Sequence, residues 1–251
     1  MKFKIKSKTN NTKFIYGNVR QNKEADALII VMSGYCGGEN FNLNIKTTQY
    51  FYKHGFSVLR LNFCNNRKNP YRIDALQLEV MDFDVYTTEL KHIIDHFSQS
   101  YSHIILIGHS FGAIISILFL EKFNNYKNKI RLVLWDQSLL PWPKQIMEQE
   151  FIINKQQRVY TEKGTGLRLN KKFYNSLIET DILKNFSKLN IPTCIIAARH
   201  SADIDAKKYF SKIKNKKRSE IHIIKNTGHL FEERKAQDEL FSITEQFIHN
   251  Q

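Results

Sequence analysis

Ser110 stands at the centre of Gly108-His109-Ser110-Phe111-Gly112, directly after the apolar run Ile104-Ile105-Leu106-Ile107 and directly before the apolar stretch that begins at Phe111. A serine hydroxyl is a weak nucleophile, and it attacks a carbonyl only when a sharp turn exposes it and a neighbouring base takes its proton. Such a turn forces strand and helix backbones together, so the positions two residues to either side need to be small. Gly108 and Gly112 meet that demand. The helix starting at Phe111 aims its first backbone N–H groups and the positive end of its dipole at developing negative charge. The chemistry this points to is acyl transfer through a covalent serine intermediate.

A serine on such an elbow takes its partners in the chain order serine, acid, histidine. Of the nine histidines, His229 fits the base: it lies in Asn226-Thr227-Gly228-His229-Leu230-Phe231, between the last strand pattern and the terminal helix. That loop belongs at the C-terminal edge of a parallel sheet, where the elbow also lies. His109 adjoins the serine and is read as packing, His222 alternates with apolar residues inside a strand, and the others read as surface residues. The acid that orients the imidazole is assigned to Asp203, in Arg199-His200-Ser201-Ala202-Asp203-Ile204-Asp205. Asp205, which can equally begin the following helix, and Asp136, at the end of another strand pattern, remain competitors. The oxyanion needs two backbone donors. Phe111 supplies one, and Tyr35, in the glycine-rich Ser33-Gly34-Tyr35-Cys36-Gly37-Gly38, the other. Cys36 is an alternative nucleophile only in name, since nothing in its sequence context activates it.

The elements that must hold these groups follow from periodicity. Phe3 to Val19 reads as a β-hairpin around Thr9-Asn10-Asn11-Thr12. Buried-strand patterns at 27–32, 56–63, 104–107, 130–135, 193–198 and 221–224 then alternate with helical patterns at 41–54, 76–97, 111–123 and 232–248. That alternation predicts an α/β fold: a mostly parallel sheet with helices on both faces. The stretch between Asp136 and Ile191 is too long for a simple crossover, so residues 138–188 are expected to form a small lid insertion within one domain spanning 1–251. Its Leu139, Leu140, Trp142, Ile146, Met147 and Phe151 either line an acyl or aryl pocket or pack the lid onto the core.

Composition bounds the rest. With 251 residues, 42% of them hydrophobic, the chain can enclose a single core. No apolar run approaches the roughly 20 residues of a membrane span, and the N-terminus carries no signal-peptide pattern, so a cytoplasmic location is expected. The three cysteines are odd in number and lack metal-type spacing, which reads as free thiols. A formal charge of +14 is spread along the chain, with one dense run at 212–218 that reads as a solvated loop. No nucleic-acid motif accompanies it, and no nucleic-acid partner is expected; a monomer or homodimer is.

With these residues assembled, the chain resembles the α/β-hydrolase superfamily over nearly its whole length, and within it the small lidded bacterial serine esterases, the feruloyl-esterase and monoacylglycerol-lipase-like group. The carrying features are Ser33-Gly34-Tyr35-Cys36-Gly37-Gly38, Gly108-His109-Ser110-Phe111-Gly112, Ile191-Pro192-Thr193 and Gly228-His229-Leu230-Phe231. The resemblance implies hydrolysis of a small-molecule carboxylic ester through an acyl-enzyme, with no metal or organic cofactor. An acyl thioesterase acting on a CoA- or carrier-linked group, or a non-catalytic binding protein, is the alternative. Two departures stand out. Ser33-Gly34 replaces the usual His-Gly, and the usual Gly-x-x-Asp reads Ala198-Arg199-His200-Ser201, which puts a serine where the acid is expected.

Overall fold

A computed structural model describes residues 1–35, 37–65, 74–154, 156 and 159–250, with the backbone alone for Cys64 and Asn65. Cys36 lies outside the described residues. The N-terminal hairpin forms as the turn residues predict: β1 (Lys2–Lys6) pairs antiparallel with β2 (Phe14–Arg20), Lys6 opposite Phe14. The following strands are β3 (Ala27–Met32), β4 (Ser57–Asn62), the short parallel pair β5 (Cys64–Asn65) and β6 (Leu76–Gln77), β7 (His103–His109) and β8 (Ile130–Trp135). The helices among them are α1 (Asn42–Lys53), α2 (Phe83–Phe97) and α3 (Phe111–Lys122). The helical pattern read over 76–97 is thus shorter at its start. Asp82 accepts the Val85 N–H at 2.9 Å and caps α2 there.

Between β8 and β12 (Thr193–Ala198) the chain builds α4 (Lys144–Glu150), a three-stranded antiparallel sheet of β9 (Phe151–Asn154), β10 (Val159–Glu162) and β11 (Arg168–Asn170), then α5 (Lys171–Glu179) and α6 (Ile182–Phe186). The chain closes with α7 (Asp203–Lys212), β13 (Glu220–Ile224) and α8 (Arg234–His249). The main sheet has eight strands in the order β1-β2-β4-β3-β7-β8-β12-β13, parallel from β4 to β13.

Period-two alternation feeds two cores, one on each face. Ile29, Val31, Ile105, Ile107, Val133 and Trp135 point toward α1 and α8 and pack with Phe51, Leu240 and Phe247. Leu28, Ile30, Ile104, Leu106, Leu132 and Leu134 point the other way, toward α2 and α3. The helix α3 is apolar nearly all round because sheet, α2 and α6 enclose it. Leu140, Met147, Phe151, Phe173 and Leu177, from the segment between β8 and β12, join this second core, so that segment is seated on the sheet rather than hung from it.

The junction from β7 into α3 is the tightest point of the fold. A Cβ on Gly112 would lie 2.4 Å from the Met32 carbonyl oxygen and 2.7 Å from that of Ser33; one on Gly108 would lie 2.6 Å from the Ala113 Cα. Both obstructions are backbone and cannot swing aside. Gly112→Ala should therefore force α3 away from the end of β3, at a cost of about 1–3 kcal/mol, the usual range for overpacking. Urea unfolding of wild type and variant measures it, and equal midpoints would show that the junction is looser than described.

Candidate active site

Ser110 sits at the turn with φ 54° and ψ −117°, a left-handed conformation that costs a non-glycine residue about 1–3 kcal/mol. The surrounding bonds enforce it. Its N–H donates to the Trp135 carbonyl at 2.9 Å, and its own carbonyl accepts from Ala113 at 3.1 Å and Ser138 at 3.3 Å. Ser110 Oγ lies 3.1 Å from Ser138 Oγ, while the Tyr209 hydroxyl donates to the Ser138 carbonyl at 2.7 Å. The serine and its surroundings are thus tied to the start of the segment that follows β8.

The carboxylate on His229 belongs to Asp136. His229 Nδ1–H donates to Asp136 Oδ2 at 2.5 Å, the Ser201 hydroxyl donates to the same oxygen at 2.5 Å, and the Ala198 N–H donates to Oδ1 at 2.8 Å. The Asp136 side chain is fully buried, whereas His229 is partly open to solvent. Burial by itself pushes the Asp136 carboxyl up, yet the hydrogen bonds from His229, Ser201 and Ala198 outweigh it and hold it below the ordinary aspartate value. Asp203, the expected acid, is not the carboxylate that meets His229. Asp203 is the first residue of α7 and makes no hydrogen bond to His229, and Asp205 pairs with Lys208 at 2.9 Å. The physical reason lies in strand order. β8 is the neighbour of β7, so the residue ending β8 emerges beside the serine turn, and Asp136, at φ 39°, turns its carboxylate beneath the histidine loop. Ser201, at the position where the resemblance places an acid, has become a hydrogen-bond donor to the acid on the next strand.

His109 does more than pack. Its Nε2–H donates to the His229 carbonyl at 2.8 Å, and the two rings lie 4.7 Å apart. Complete burial first, and the neighbouring His229 second, push the His109 pKa down to about 4, so the ring is neutral and holds the histidine loop by a single donor. His229 and Ser110 themselves share no hydrogen bond in this conformation; the serine is turned to Ser138 and the histidine to Asp136. Apo sites often complete that contact only with substrate in place.

The loop after β3 passes directly over the serine, and a Cβ on Gly34 would stand 3.1 Å from Ser110 Cβ. Ser33, the departure from His-Gly, anchors this loop. Its hydroxyl donates to the Gly38 carbonyl at 3.2 Å and accepts from Asn44 Nδ2 on α1, which also reaches the Gly38 carbonyl at 3.1 Å. The Tyr35 ring packs edge-on against Phe111 and Trp142, with centroids 5.7 and 6.3 Å away. Among the described residues no acceptor takes the Phe111 N–H, as expected for the first turn of a helix. A small cavity of about 30 Å³ adjoins these groups, bordered by Gly34, Phe111, Leu61, Phe63, Tyr86 and Ile115. Of the apolar residues expected to line a pocket, Leu140, Met147 and Phe151 are buried in the core, Leu139 and Trp142 are partly buried against it, and Ile146 is exposed.

No family model matches the chain, and no curated protein matches it in sequence. Solved structures do. Est1E from Butyrivibrio proteoclasticus superposes with a TM-score of 0.74 at 13% identity over 99% of both chains. A thermophilic esterase from Thermogutta terrifontis, with malate bound, gives 0.71 at 14% identity over 99% of this chain and 98% of that one. The mouse alpha/beta hydrolase domain-containing protein 10 gives 0.74 at 11% identity over 100% and 99%. The chain therefore has the α/β-hydrolase fold. No helix among the described residues is long and apolar enough to cross a membrane.

The depressed His109 sets a pH dependence. Between the unfolded-state value near 6.5 and the folded value near 4, the unfolded chain binds a proton that the folded chain refuses. Stability should thus fall as pH drops through that window, by about 3 kcal/mol in total from this group. His109→Asn keeps a donor for the His229 carbonyl but cannot titrate, so its unfolding free energy should lose this part of the slope. Parallel slopes for wild type and variant would remove His109 as the cause.

Proposed function

We propose that the chain is a serine hydrolase that cleaves a carboxylic ester through an acyl-enzyme, with Ser110 as nucleophile, His229 as base and Asp136 as the acid that orients it. The observation that carries this reading is the bond from His229 Nδ1 to the buried Asp136, beside a serine held in a left-handed turn. A carboxylate on Nδ1 fixes the tautomer that leaves Nε2 free to accept a proton, and it stabilises the imidazolium that then forms.

The reaction begins when the Ser110 side chain leaves Ser138 for His229, exchanging one hydroxyl bond of about 1 kcal/mol for another. Ser110 Oγ adds to the ester carbonyl and its proton passes to His229 Nε2. The Phe111 and Tyr35 N–H groups receive the negative oxygen. The tetrahedral adduct collapses, the carbon–oxygen bond to the leaving group breaks, and His229 returns the proton to the departing alcohol. Water, deprotonated by the same imidazole, repeats the sequence and frees the acid and Ser110. Residues 138–188 act as a lid, and their contact with Ser110 through Ser138 lets substrate entry be felt at the nucleophile.

We read the cavity beside Gly34 and Phe111 as the acyl pocket, and its volume of about 30 Å³ favours a short group. Est1E, which has been solved with ferulic acid bound, shares the fold; a feruloyl group would need the lid to move in this chain. A second reading, an acyl thioesterase, is favoured by one feature. A cleft of about 560 Å³ opens next to Ser201 and Gly228, lined also by Arg199, His200 and Lys225 and by no acidic side chain, and neither Arg199 nor Lys225 has a salt-bridge partner among the described residues. Such a lining suits the phosphates of a CoA-type leaving group.

Turnover of p-nitrophenyl esters tests the acid directly. Ser110→Ala and Asp136→Asn should each lower kcat by about 10⁴-fold, whereas Asp203→Asn should stay within a few-fold of wild type. Loss of activity in Asp203→Asn with Asp136→Asn intact would return the acid to Asp203. Acyl preference should fall as the chain lengthens and shift to longer chains in Phe63→Ala, since removing a ring opens the cavity. For the thioesterase reading, Arg199→Ala/Lys225→Ala should raise KM for an acyl-CoA while leaving the matching p-nitrophenyl ester unchanged. Equal effects on both substrates would dismiss it.

A further inference from the structure

We infer that Cys194, Glu220 and His222 form a binding site for a thiophilic divalent cation of the zinc type, at the edge of the sheet away from the serine. Cys194 on β12 is remote in sequence from Glu220 and His222, which alternate along β13, and strand pairing brings it to them. β12 and β13 run parallel with Cys194 opposite Glu220 and Ile196 opposite His222, so all three side chains stand on one face of the sheet. One donor atom from each lies within 4.8 Å of the other two. Ligands around tetrahedral zinc, with bonds of about 2.0–2.3 Å, stand roughly 3.3–3.8 Å apart, so small rotations of half-buried side chains close the set.

The donor chemistry selects the ion. A thiolate and an imidazole exclude calcium and magnesium, which take oxygen, and with one carboxylate they suit zinc. His222 Nε2 and Glu220 Oε2 are 2.9 Å apart, so two of the donors already converge. Cys194 is fully buried, and burial first, with Glu220 second, holds its thiol well above its ordinary pKa. Without a metal it is an inert thiol. On loading, the thiol proton leaves to solvent, and thiolate, carboxylate and dication sum to a neutral site that a buried position tolerates. Three protein ligands leave the fourth position to water.

Cys194 and Glu220 lie at the start of their strands, whereas Ser110 follows the end of β7, so the cation does not reach the reacting atoms. Its effect is structural. β13 is an edge strand held on one side only, and the loop that carries His229 leaves from its end. A cation bridging β12 and β13 pins that strand. This inference does not depend on the function proposed above.

The test is a titration of the chelator-stripped full-length protein with Zn²⁺ in competition with a chromophoric chelator, repeated with Co²⁺ as a spectroscopic probe. One equivalent should bind, Co²⁺ should show a thiolate-to-metal charge-transfer band, and Zn²⁺ at a hundred times its Kd should raise Tm by roughly 5–10 °C. Cys194→Ser should abolish the charge-transfer band. His222→Ala, at a half-buried edge position that the fold tolerates, should weaken binding by at least about tenfold, since outer-shell partners alone carry 10–100-fold. Absence of stoichiometric binding, absence of the thiolate band, or equal affinity in His222→Ala would overturn the site.

Discussion

A fully buried carboxylate has to be satisfied or it unfolds what surrounds it, and Asp136 is satisfied by three donors from three places. Ala198 ends β12, Ser201 lies in the turn that follows, and His229 comes from the loop after β13. Asp136 itself directly follows β8, whose last residue, Trp135, accepts the backbone N–H of Ser110. One side chain therefore gathers the C-terminal ends of β8, β12 and β13 around the serine turn at the end of β7. Removing one of these donors leaves a buried carboxylate short of a partner, which typically costs about 1–3 kcal/mol and makes the constellation a structural clamp. His109 adds a second hold on the same loop from the strand that carries the serine.

Ser110 and His229 share no hydrogen bond in this conformation, and the separation has a physical source. Ser138 is only two residues beyond Asp136, and it meets Ser110 through both its backbone N–H and its hydroxyl. Acid and serine are thereby linked through one short segment that leads straight into residues 138–188. Trp142 in that segment packs on Tyr35, the residue proposed as oxyanion donor, so the segment touches both Ser110 and Tyr35. A hydroxyl–hydroxyl bond is weak enough to exchange when a substrate displaces its surroundings, and a strained backbone at Ser110 keeps the side chain available for that exchange.

Much of this was legible in the residues. Period-two runs and apolar helices marked the central strands and helices, and the glycines marked the elbow because only a missing Cβ fits, at 112 against the carbonyls of Met32 and Ser33 and at 108 against the backbone of Gly112 and Ala113. The position of His229 followed from chain order. The carboxylate that meets His229 did not, because Asp136 and Asp203 carry the same local signal, a carboxylate just past a buried strand. Only the spatial order of β7, β8 and β12 separates them, and a single sequence does not state that order. Ser201 held the clue: a hydroxyl where an acid is expected marks a position that still serves the site from one atom further away. Ser138, Asn44 and the role of His109 rest on long-range hydrogen bonds, and the Cys194–Glu220–His222 cluster rests on strand register, none of which periodicity reports.

The central claim is that Ser110 is a nucleophile activated by this clamp, and covalent labelling tests it without knowledge of the substrate. Purified protein would be treated with a fluorophosphonate, which phosphonylates activated serines, and its intact mass and peptides would be read by mass spectrometry. A single adduct is expected, located on Ser110, and its formation should slow when His229 is replaced by Ala. An unmodified protein, or an adduct on a different serine, would contradict it.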